Sequence, residues 1–547
     1  MTDLKPQLFR CLKGYSKDRF LKDLTAGVIV AIIALPLSIA LALASGVSPE
    51  QGLYTAIVAG FLISALGGSK VQIAGPTAAF ATIVAGIVAR SGMAGLATAT
   101  LLAGVMLVLM GILHMGSMIK FIPYTITIGF TAGIAVTIVI GQLKDFFGLT
   151  FQQAPVETME KLEEVVRTFH TVNPAAMAVG ILSLSILLLW PRVSKRIPAS
   201  LIAVLLTAAV VGLLDLPVNT IGDLYVISSA LPAFQMPDLS YETVSAVLPD
   251  AFTIAVLAAI ESLLSAVVAD EMIGSRHNSN MELVAQGVGN SASALFGGIP
   301  ATGAIARTAA NIKNGGTSPV AGMVHALVLL LVLVLLMPYA ALIPMPCIAA
   351  ILFQVAYNMS GWRTVLKVAK TSPKSDIAVL VLTFILTVAF DLVVAIGVGL
   401  SLACLLFMKR MADVAVVKEW EYVEDMGDEQ GRLKPVPAYV MVYEISGPMF
   451  FGAADKIPHM ERDNGCRVLI LRMRSVPAMD ITALNGLRRL YDECVRKNIN
   501  VVFSHVNEQP MSVFRKSGMY DLVGAENFQP NIDVALERAI SIGGMPV

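Results

Sequence analysis

Long apolar stretches alternate with short polar breaks over the first three quarters of the chain. A spanning helix needs roughly 20 apolar residues. Stretches that meet or approach this length are 24–44, 53–66, 95–113, 124–147, 175–190 and 201–214. After a polar interval they resume at 251–268, 283–296, 320–342, 347–357, 377–390 and 392–408. Two further segments, 76–90 and 302–311, are too short or too polar to span alone and read as half-helices, a device of transporter folds. The pattern predicts a polytopic α-helical membrane protein with about fourteen helical segments. From residue 439 the pattern changes to alternation in 439–445, 467–473 and 500–504, with helical stretches at 481–496 and 510–517 between them. Strand–helix alternation of this kind predicts a small α/β domain. The expected organisation is an N-terminal segment 1–22, a transmembrane domain 23–411, a linker 412–437 and a soluble domain 438–547.

Charge gives the spans a direction. Lys5, Arg10, Lys13, Lys17, Arg19 and Lys22 precede the first span. Arg192, Lys195 and Arg196 follow the sixth segment, Arg276 and His277 the eighth, and Arg363, Lys367, Lys370 and Lys374 the twelfth. All fall after even-numbered crossings, on the side of the N-terminus. The opposite loops are acidic, with Glu157, Glu160, Glu163 and Glu164 in one and Asp215, Asp223 and Asp238 in another. Basic loops mark the cytoplasmic face, so the N-terminus and the soluble domain are expected there. The first apolar run lacks a small-residue cleavage site and reads as a retained span.

An internal repeat is visible. Ser64-Ala65-Leu66-Gly67-Gly68 precedes the first short segment, and Ser293-Ala294-Leu295-Phe296-Gly297-Gly298 precedes the second. With seven segments per period, an odd number, the second copy enters from the opposite side. Seven-plus-seven inverted repeats follow, with the two short helices meeting near the midplane.

The chemistry expected there is anion binding. Thr77, Ala78, Ala79 and Phe80 follow Gly75-Pro76, and proline is favourable at a first helical position. The second short segment runs Pro300-Ala301-Thr302-Gly303-Ala304-Ile305-Ala306-Arg307. A helix N-terminus carries roughly half a positive charge and binds anions. Gly303, Ala304 and Ala306 let a ligand approach the backbone, and Arg307 adds a planar donor fork. An arginine snorkelling to the interface is the bland alternative. Glu261 lies inside 251–268 and must be paired, protonated or ion-bound at that depth. It is expected either to pair with Arg307, to carry a coupling proton, or to hold helices together. Ser265 lies one turn further on the same face.

Composition removes other classes. The chain has 547 residues, 56% hydrophobic and 14% charged, with 39 basic and 39 acidic groups. Zero net charge offers nothing to nucleic acid. The five cysteines form no CxxC pair and the six histidines no ligand-spaced pair, so neither a metal nor another cofactor is expected. There is no Walker A motif and no nucleophile elbow, so neither an ATP-driven pump within this chain nor an enzyme is expected.

The motifs together are identified with a family. Gly75-Pro76-Thr77-Ala78-Ala79, Ala259-Ile260-Glu261-Ser262-Leu263-Leu264, Gly287-Val288-Gly289-Asn290 and Ala304-Ile305-Ala306-Arg307-Thr308-Ala309-Ala310-Asn311 resemble the SulP anion permeases in order and spacing. Residues 445–451 and 476–484 resemble a STAS domain. The resemblance implies core and gate domains in an elevator-like cycle, substrate between the third and tenth helices, a homodimer, and residence in the cell (inner) membrane. The wording is most similar to the bacterial four-carbon dicarboxylate permease branch. The sodium-bicarbonate branch typically has Asp and Thr where Glu261 and Ser265 stand, and lacks the arginine. Anti-sigma antagonists carry a phosphorylated serine in the region of Ile481, where Thr482 is the nearest hydroxyl. The expectation is therefore proton-coupled uptake of a dicarboxylate such as succinate, fumarate or aspartate, with sodium coupling less favoured. Bicarbonate or sulfate transport is the alternative. A channel, or a membrane-anchored scaffold whose STAS domain binds a cytoplasmic protein, are readings of other classes.

Overall fold

The computed structural model describes residues 4–117, 123–153, 155, 157–194, 197–390, 392–419, 436–457 and 465–543. They form two compact units, Met1–Leu400 and Ser401–Val547. Lys195 and Arg196 of the basic loop, and most of the expected linker, lie outside the described residues.

The first unit is helical. After a short α1 (Gln7–Cys11) come α2 (Lys17–Ala44) and α3 (Pro49–Leu66), a two-residue strand β1 (Ala74–Gly75), then α4 (Ala78–Ile112) and α5 (Tyr124–Phe147). The half ends with α6 (Thr158–Thr168), α7 (Pro174–Val193), α8 (Ala199–Leu214) and α9 (Ile221–Leu224). Local sequence sets these ends. The Ser16 hydroxyl accepts from Arg19 N–H to start α2, and Ser48 and Gln51 form a capping box ahead of Pro49. Gly92, at φ 66°, breaks α4. The expected segments 76–90 and 95–113 are thus two arms joined at a residue that alone takes this conformation freely.

The second half repeats the plan with α10 (Tyr241–Ile273), α11 (Ser279–Leu295), β2 (Thr302–Gly303), α12 (Ile305–Lys313), α13 (Val320–Leu336), α14 (Met345–Ser360), α15 (Trp362–Thr371), α16 (Lys374–Ala389) and α17 (Leu392–Val414). The packing partners survive exchange of the halves. α4 packs on α11 as α13 packs on α3, α4 on α10 as α13 on α2, and α16 on α5 as α7 on α14. β1 and β2 pair antiparallel, Ala74 with Gly303 and Gly75 with Thr302. The repeat read from the two Gly-Gly motifs is therefore inverted and brings the short segments together. Among the described residues only six helices combine the length and hydropathy of a simple span, fewer than the apolar stretches predicted. The difference is physical: α12 and the first arm of α4 stop at the crossing, and several other spans are short.

The unit is apolar outside and polar within. Leu205, Leu213 and Leu214 of α8 and Leu327, Leu331 and Leu335 of α13 are exposed, whereas Asp23, Glu282, Arg307 and His325 are buried. α15 presents Trp362, Val365, Leu366 and Ala369 on one face and Arg363, Lys367 and Lys370 on another, the build of an interfacial helix where the sequence suggested only a basic loop. Close backbone approach holds the interior. A Cβ on Gly104 would meet the Gly287 carbonyl oxygen at 2.7 Å, and one on Gly287 the Gly104 oxygen at 2.5 Å. Small residues at such contacts are how membrane helices gain packing energy.

Two buried polar clamps hold the turns before the crossing. Glu282 of α11 accepts from Gly68 N–H (2.9 Å), Ser69 N–H (3.2 Å), Gln72 Nε2 (3.0 Å) and Gln286 Nε2 (3.0 Å). Thr55 of α3 accepts from Ile299 N–H at 2.7 Å, and Asn290 of α11 exchanges two bonds with the Ala301 backbone. Each repeat therefore braces the other's loop.

The second unit has a five-stranded sheet ordered β3 (Val416–Glu419), β4 (Val440–Ser446), β5 (Val468–Ser475), β6 (Asn500–Ser504) and β7 (Phe528–Gln529). β3 runs antiparallel to β4, and the remaining pairs are parallel. Helices α18 (Ile481–Arg496), α19 (Glu508–Lys516), α20 (Met519–Val523) and α21 (Ile532–Gly543) complete it. Phe503, Phe514 and Phe528 stack within 5.4 Å of one another in its core. Asp480 caps α18 through Ala483 N–H and holds Phe451 N–H. Ile481 and Thr482 are exposed at that helix start.

Glu282→Ala removes the carboxylate from two backbone N–H groups and two amides. The expected cost is about 3 kcal/mol, read as a lower thermal unfolding midpoint of detergent-purified protein; an unchanged midpoint would show that the clamp contributes nothing.

Candidate functional site

The site is built at the β1–β2 crossing. Because the strands are antiparallel, α4 and α12 leave the crossing in opposite directions, and both N-termini point back at it. α4 starts at Ala78 with Thr77 as its N-cap, so Pro76 lies just ahead of the cap instead of at the first helical position that the sequence predicts. Thr302 and Gly303, expected in the second short helix, are strand residues, and α12 begins at Ile305. The pairing with Ala74 and Gly75 accounts for both shifts.

Free backbone donors result. Phe80 N–H bonds the Thr77 carbonyl and Thr308 N–H the Ala304 carbonyl. The N–H groups of Ala78, Ala79, Ile305, Ala306 and Arg307 have no partner among the described residues. Ala78, Ala79 and Ala304 are buried, and Ile305 and Ala306 are exposed at the start of α12. The Phe80 side chain is fully buried in the apolar core, so it anchors the first turn of α4 and does not line an opening.

Glu261 of α10 faces this crossing. Its Oε2 accepts from the Thr77 hydroxyl at 2.9 Å and the Thr302 hydroxyl at 2.8 Å, and the two hydroxyl oxygens are 3.1 Å apart. One turn of helix places neighbouring serines elsewhere. Ser262 accepts from Gly303 N–H at 3.0 Å, while Ser265 is fully buried and meets the Thr308 hydroxyl at 3.4 Å. Ser265 therefore ties α10 to α12 and does not share the surroundings of Glu261.

Arg307 does not pair with Glu261. Its guanidinium is 2% exposed and passes behind the strands. Nη2 donates to the Pro76 carbonyl at 3.1 Å and to Ser38 Oγ of α2 at 3.3 Å. Nη1 is buried without a partner among the described residues. A Cβ on Gly75 would collide with that Nη1. The Gly75-Pro76-Thr77 motif is thereby explained residue by residue. Gly75 makes room for the guanidinium, Pro76 lends it a carbonyl, and Thr77 caps α4 and bonds Glu261. The ion pair, one of three roles open to Glu261, is not made, because Arg307 turns to Pro76 and to Ser38 of α2 while Glu261 takes Thr77 and Thr302.

Thr302, Ser262 and Ser38 belong to the site and were not singled out from the sequence. For Thr302 the available signal was a hydroxyl shortly ahead of the second helix start, three residues before Ile305, where Thr77 immediately precedes Ala78. Nothing local marks Ser38. Buried His325 of α13 likewise has both ring nitrogens without partners among the described residues. No group of three His, Cys, Asp or Glu side chains gathers among the described residues.

A cavity of about 390 Å³ lies between α4 and α10 on one side and α5 and α16 on the other. Thr82, one turn beyond Ala78, lines it, as do Arg90 and Asp250, which pair at 2.9 Å. By the order of crossings it lies on the face opposite the N-terminus. The crossing thus gathers several unpaired N–H groups and the Glu261 carboxylate with its two threonine hydroxyls, with the Arg307 guanidinium buried behind the strands.

Comparison with known proteins agrees with this architecture. The sulfate permease family matches residues 20–383, and the STAS domain matches residues 433–535. The chain is 41% identical over 524 residues to the Bacillus subtilis protein YvdB, provisionally named a sulfate transporter, covering 94% of this chain and 97% of the relative. It is 30% identical over 541 residues to the bicarbonate transporter BicA of Picosynechococcus, covering 95% and 94%. Among solved structures, the murine Solute Carrier 26 member A9 anion transporter superposes with a TM-score of 0.88 at 19% identity, over 98% of this chain and 94% of that one. The transmembrane domain of a cyanobacterial BicA superposes with a TM-score of 0.64 at 32% identity, over 70% of this chain and 99% of that one. The chain belongs to the sulfate permease family and is a multi-pass membrane transporter, not an enzyme, with a STAS domain at its C-terminal end.

Proposed function

We propose that this protein is a secondary carrier of a compact oxyanion of the sulfate or bicarbonate class, held at the β1–β2 crossing and moved with a coupling ion at Glu261. The observation that carries the reading is the pair of opposed helix N-termini, whose unpaired N–H groups both lie at the β1–β2 crossing. A compact anion suits that point. A four-carbon dicarboxylate, the substrate favoured on motif wording, needs a second cationic anchor. Arg307 is the sole guanidinium beside the crossing among the described residues, and it is buried behind the strands. The names of the relatives point the same way, toward sulfate and bicarbonate.

Proton coupling is our reading of Glu261. Protonated, it neutralises the charge that travels with the anion; ionised, it takes both threonine hydroxyls. The same three oxygens could ligate sodium, and ion dependence separates the two. The elevator-like cycle rests on the division into two bundles with a cavity between them. The proposal extends to a homodimer in the cell membrane, with the N-terminus and STAS domain cytoplasmic by the charge pattern, and to a cytoplasmic protein as the STAS partner.

Proteoliposomes test the substrate: labelled sulfate uptake should be inhibited by excess sulfate or bicarbonate and not by succinate. Succinate inhibiting as strongly as sulfate would restore the dicarboxylate reading. Glu261→Gln should abolish acceleration by an inward proton gradient, with at least about a tenfold loss of driven uptake, and leave anion exchange. Full acceleration in this variant would remove Glu261 from coupling, and a sodium requirement in the wild type would replace the proton. Gly75→Ala should displace Arg307 and lower uptake at least about tenfold, whereas Gly86→Ala, whose Cβ meets only the Arg90 tip at 3.5 Å, should retain it.

A further inference from the structure

On the face that carries the N-terminus lies a cavity of about 600 Å³ that the transport site does not use. Five stretches of chain meet around it: α1, the start of α2, the turn between α3 and β1, the end of α10 and the turn after α12. Four lining side chains are cations, Arg10, Arg19, Lys70 and Arg276, and among the described residues no carboxylate lines it. None of the four has an ion-pair partner among the described residues.

Two nearby carboxylates, Asp23 and Asp270, are already engaged. Asp23 is fully buried and accepts from Tyr15, Thr317 and Ser318. Burial and that bond to Asp23 push the Tyr15 phenol up to about 12, so it remains a neutral donor. Asp270 accepts from Ser275 and His277. The Cys11 thiol, raised by burial, lies within electrostatic reach of both Lys70 and Arg19, so these two cations approach one point. A second cavity of about 420 Å³ shares Gln7, Arg10 and Arg276, which puts both arginines on the wall between the two spaces.

Gathering four like charges without a counter-ion is unfavourable unless something negative completes the set. The volume is that of a small-molecule site, which runs from roughly 300 to 1,000 Å³. A single small monoanion would not need three arginine forks and a lysine, whereas phosphate oxygens use them well. The pocket also connects to the transport site. Lys70 follows Gly68 and Ser69, held by Glu282, and precedes Gln72 and β1.

We propose that this pocket binds a phosphate-bearing polyanion, a diphosphate or a phospholipid headgroup, at a site separate from that of the transported anion. The test uses purified full-length protein in phosphatidylcholine nanodiscs, with thermal unfolding followed against inorganic pyrophosphate at constant ionic strength in saturating sodium sulfate, which keeps the transport site filled. Wild type should show a saturable rise in midpoint beyond the one sulfate gives. The Lys70→Gln/Arg276→Gln double variant should need at least about tenfold more pyrophosphate for the same rise, and Lys70→Arg should behave as wild type. In a parallel series without pyrophosphate, phosphatidylglycerol nanodiscs that stabilise wild type and not the double variant would identify a headgroup as the source. No stabilisation by either anion, or equal stabilisation of wild type and the double variant, overturns the proposal.

Discussion

The pairing of two residues with two residues governs this structure. Ala74–Gly75 and Thr302–Gly303 form a sheet too short to be stable alone. It exists because the helices on either side are already fixed. In exchange it satisfies backbone groups that would otherwise be unpaired at membrane depth, where no water can reach them. Non-helical backbone is tolerated there only inside protein or beside a cavity, and the crossing meets that condition. Once two chains cross in this way, the helices that follow must start at the crossing, and their unpaired N–H groups collect at one place.

The polar interior follows from the same constraint. Each buried charge has a distinct task and distinct partners. Glu282 holds the turn before β1, Arg307 bonds the Pro76 carbonyl behind β1, and Asp23 secures the turn after α12. Glu261 differs, because its partners are two threonine hydroxyls and not fixed backbone groups. A carboxylate held by hydroxyls can change its protonation or ligand without dismantling the scaffold, since each hydroxyl can donate or accept. The clamps are built to stay and Glu261 is built to change. The inverted repeat makes this economical, because Thr55 and Asn290 brace the second loop while Glu282 braces the first.

Much of this was legible in the residues. The apolar runs located the spans, the matched Gly-Gly motifs located the repeat, and Thr77, Ala78 and Arg307 fell at or beside the crossing. The failures share a cause. Placing Arg307 opposite Glu261 assumed that two charges at similar depth meet, but depth does not give direction around a helix bundle. Ser265 was assigned to the face of Glu261 from helical spacing, yet its hydroxyl meets Thr308 of α12 while Glu261 meets Thr77 and Thr302. Phe80 was expected in the site and Ser38 went unmarked for the same reason, because what a side chain faces depends on helices far away in sequence.

Hydrophobic periodicity, charge asymmetry and a repeated motif by themselves determined that this chain spans a membrane many times, in two inverted halves, with an α/β domain after them. Those are properties of local composition and of the order of segments, and they need no knowledge of contacts. Only the tertiary structure decided that the short segments pair as strands, that Glu261 meets hydroxyls instead of a guanidinium, and that Arg307 lies behind the crossing. Each of these depends on which faces meet across long stretches of intervening chain, 41 positions apart for Glu261 and Thr302, and packing alone sets that.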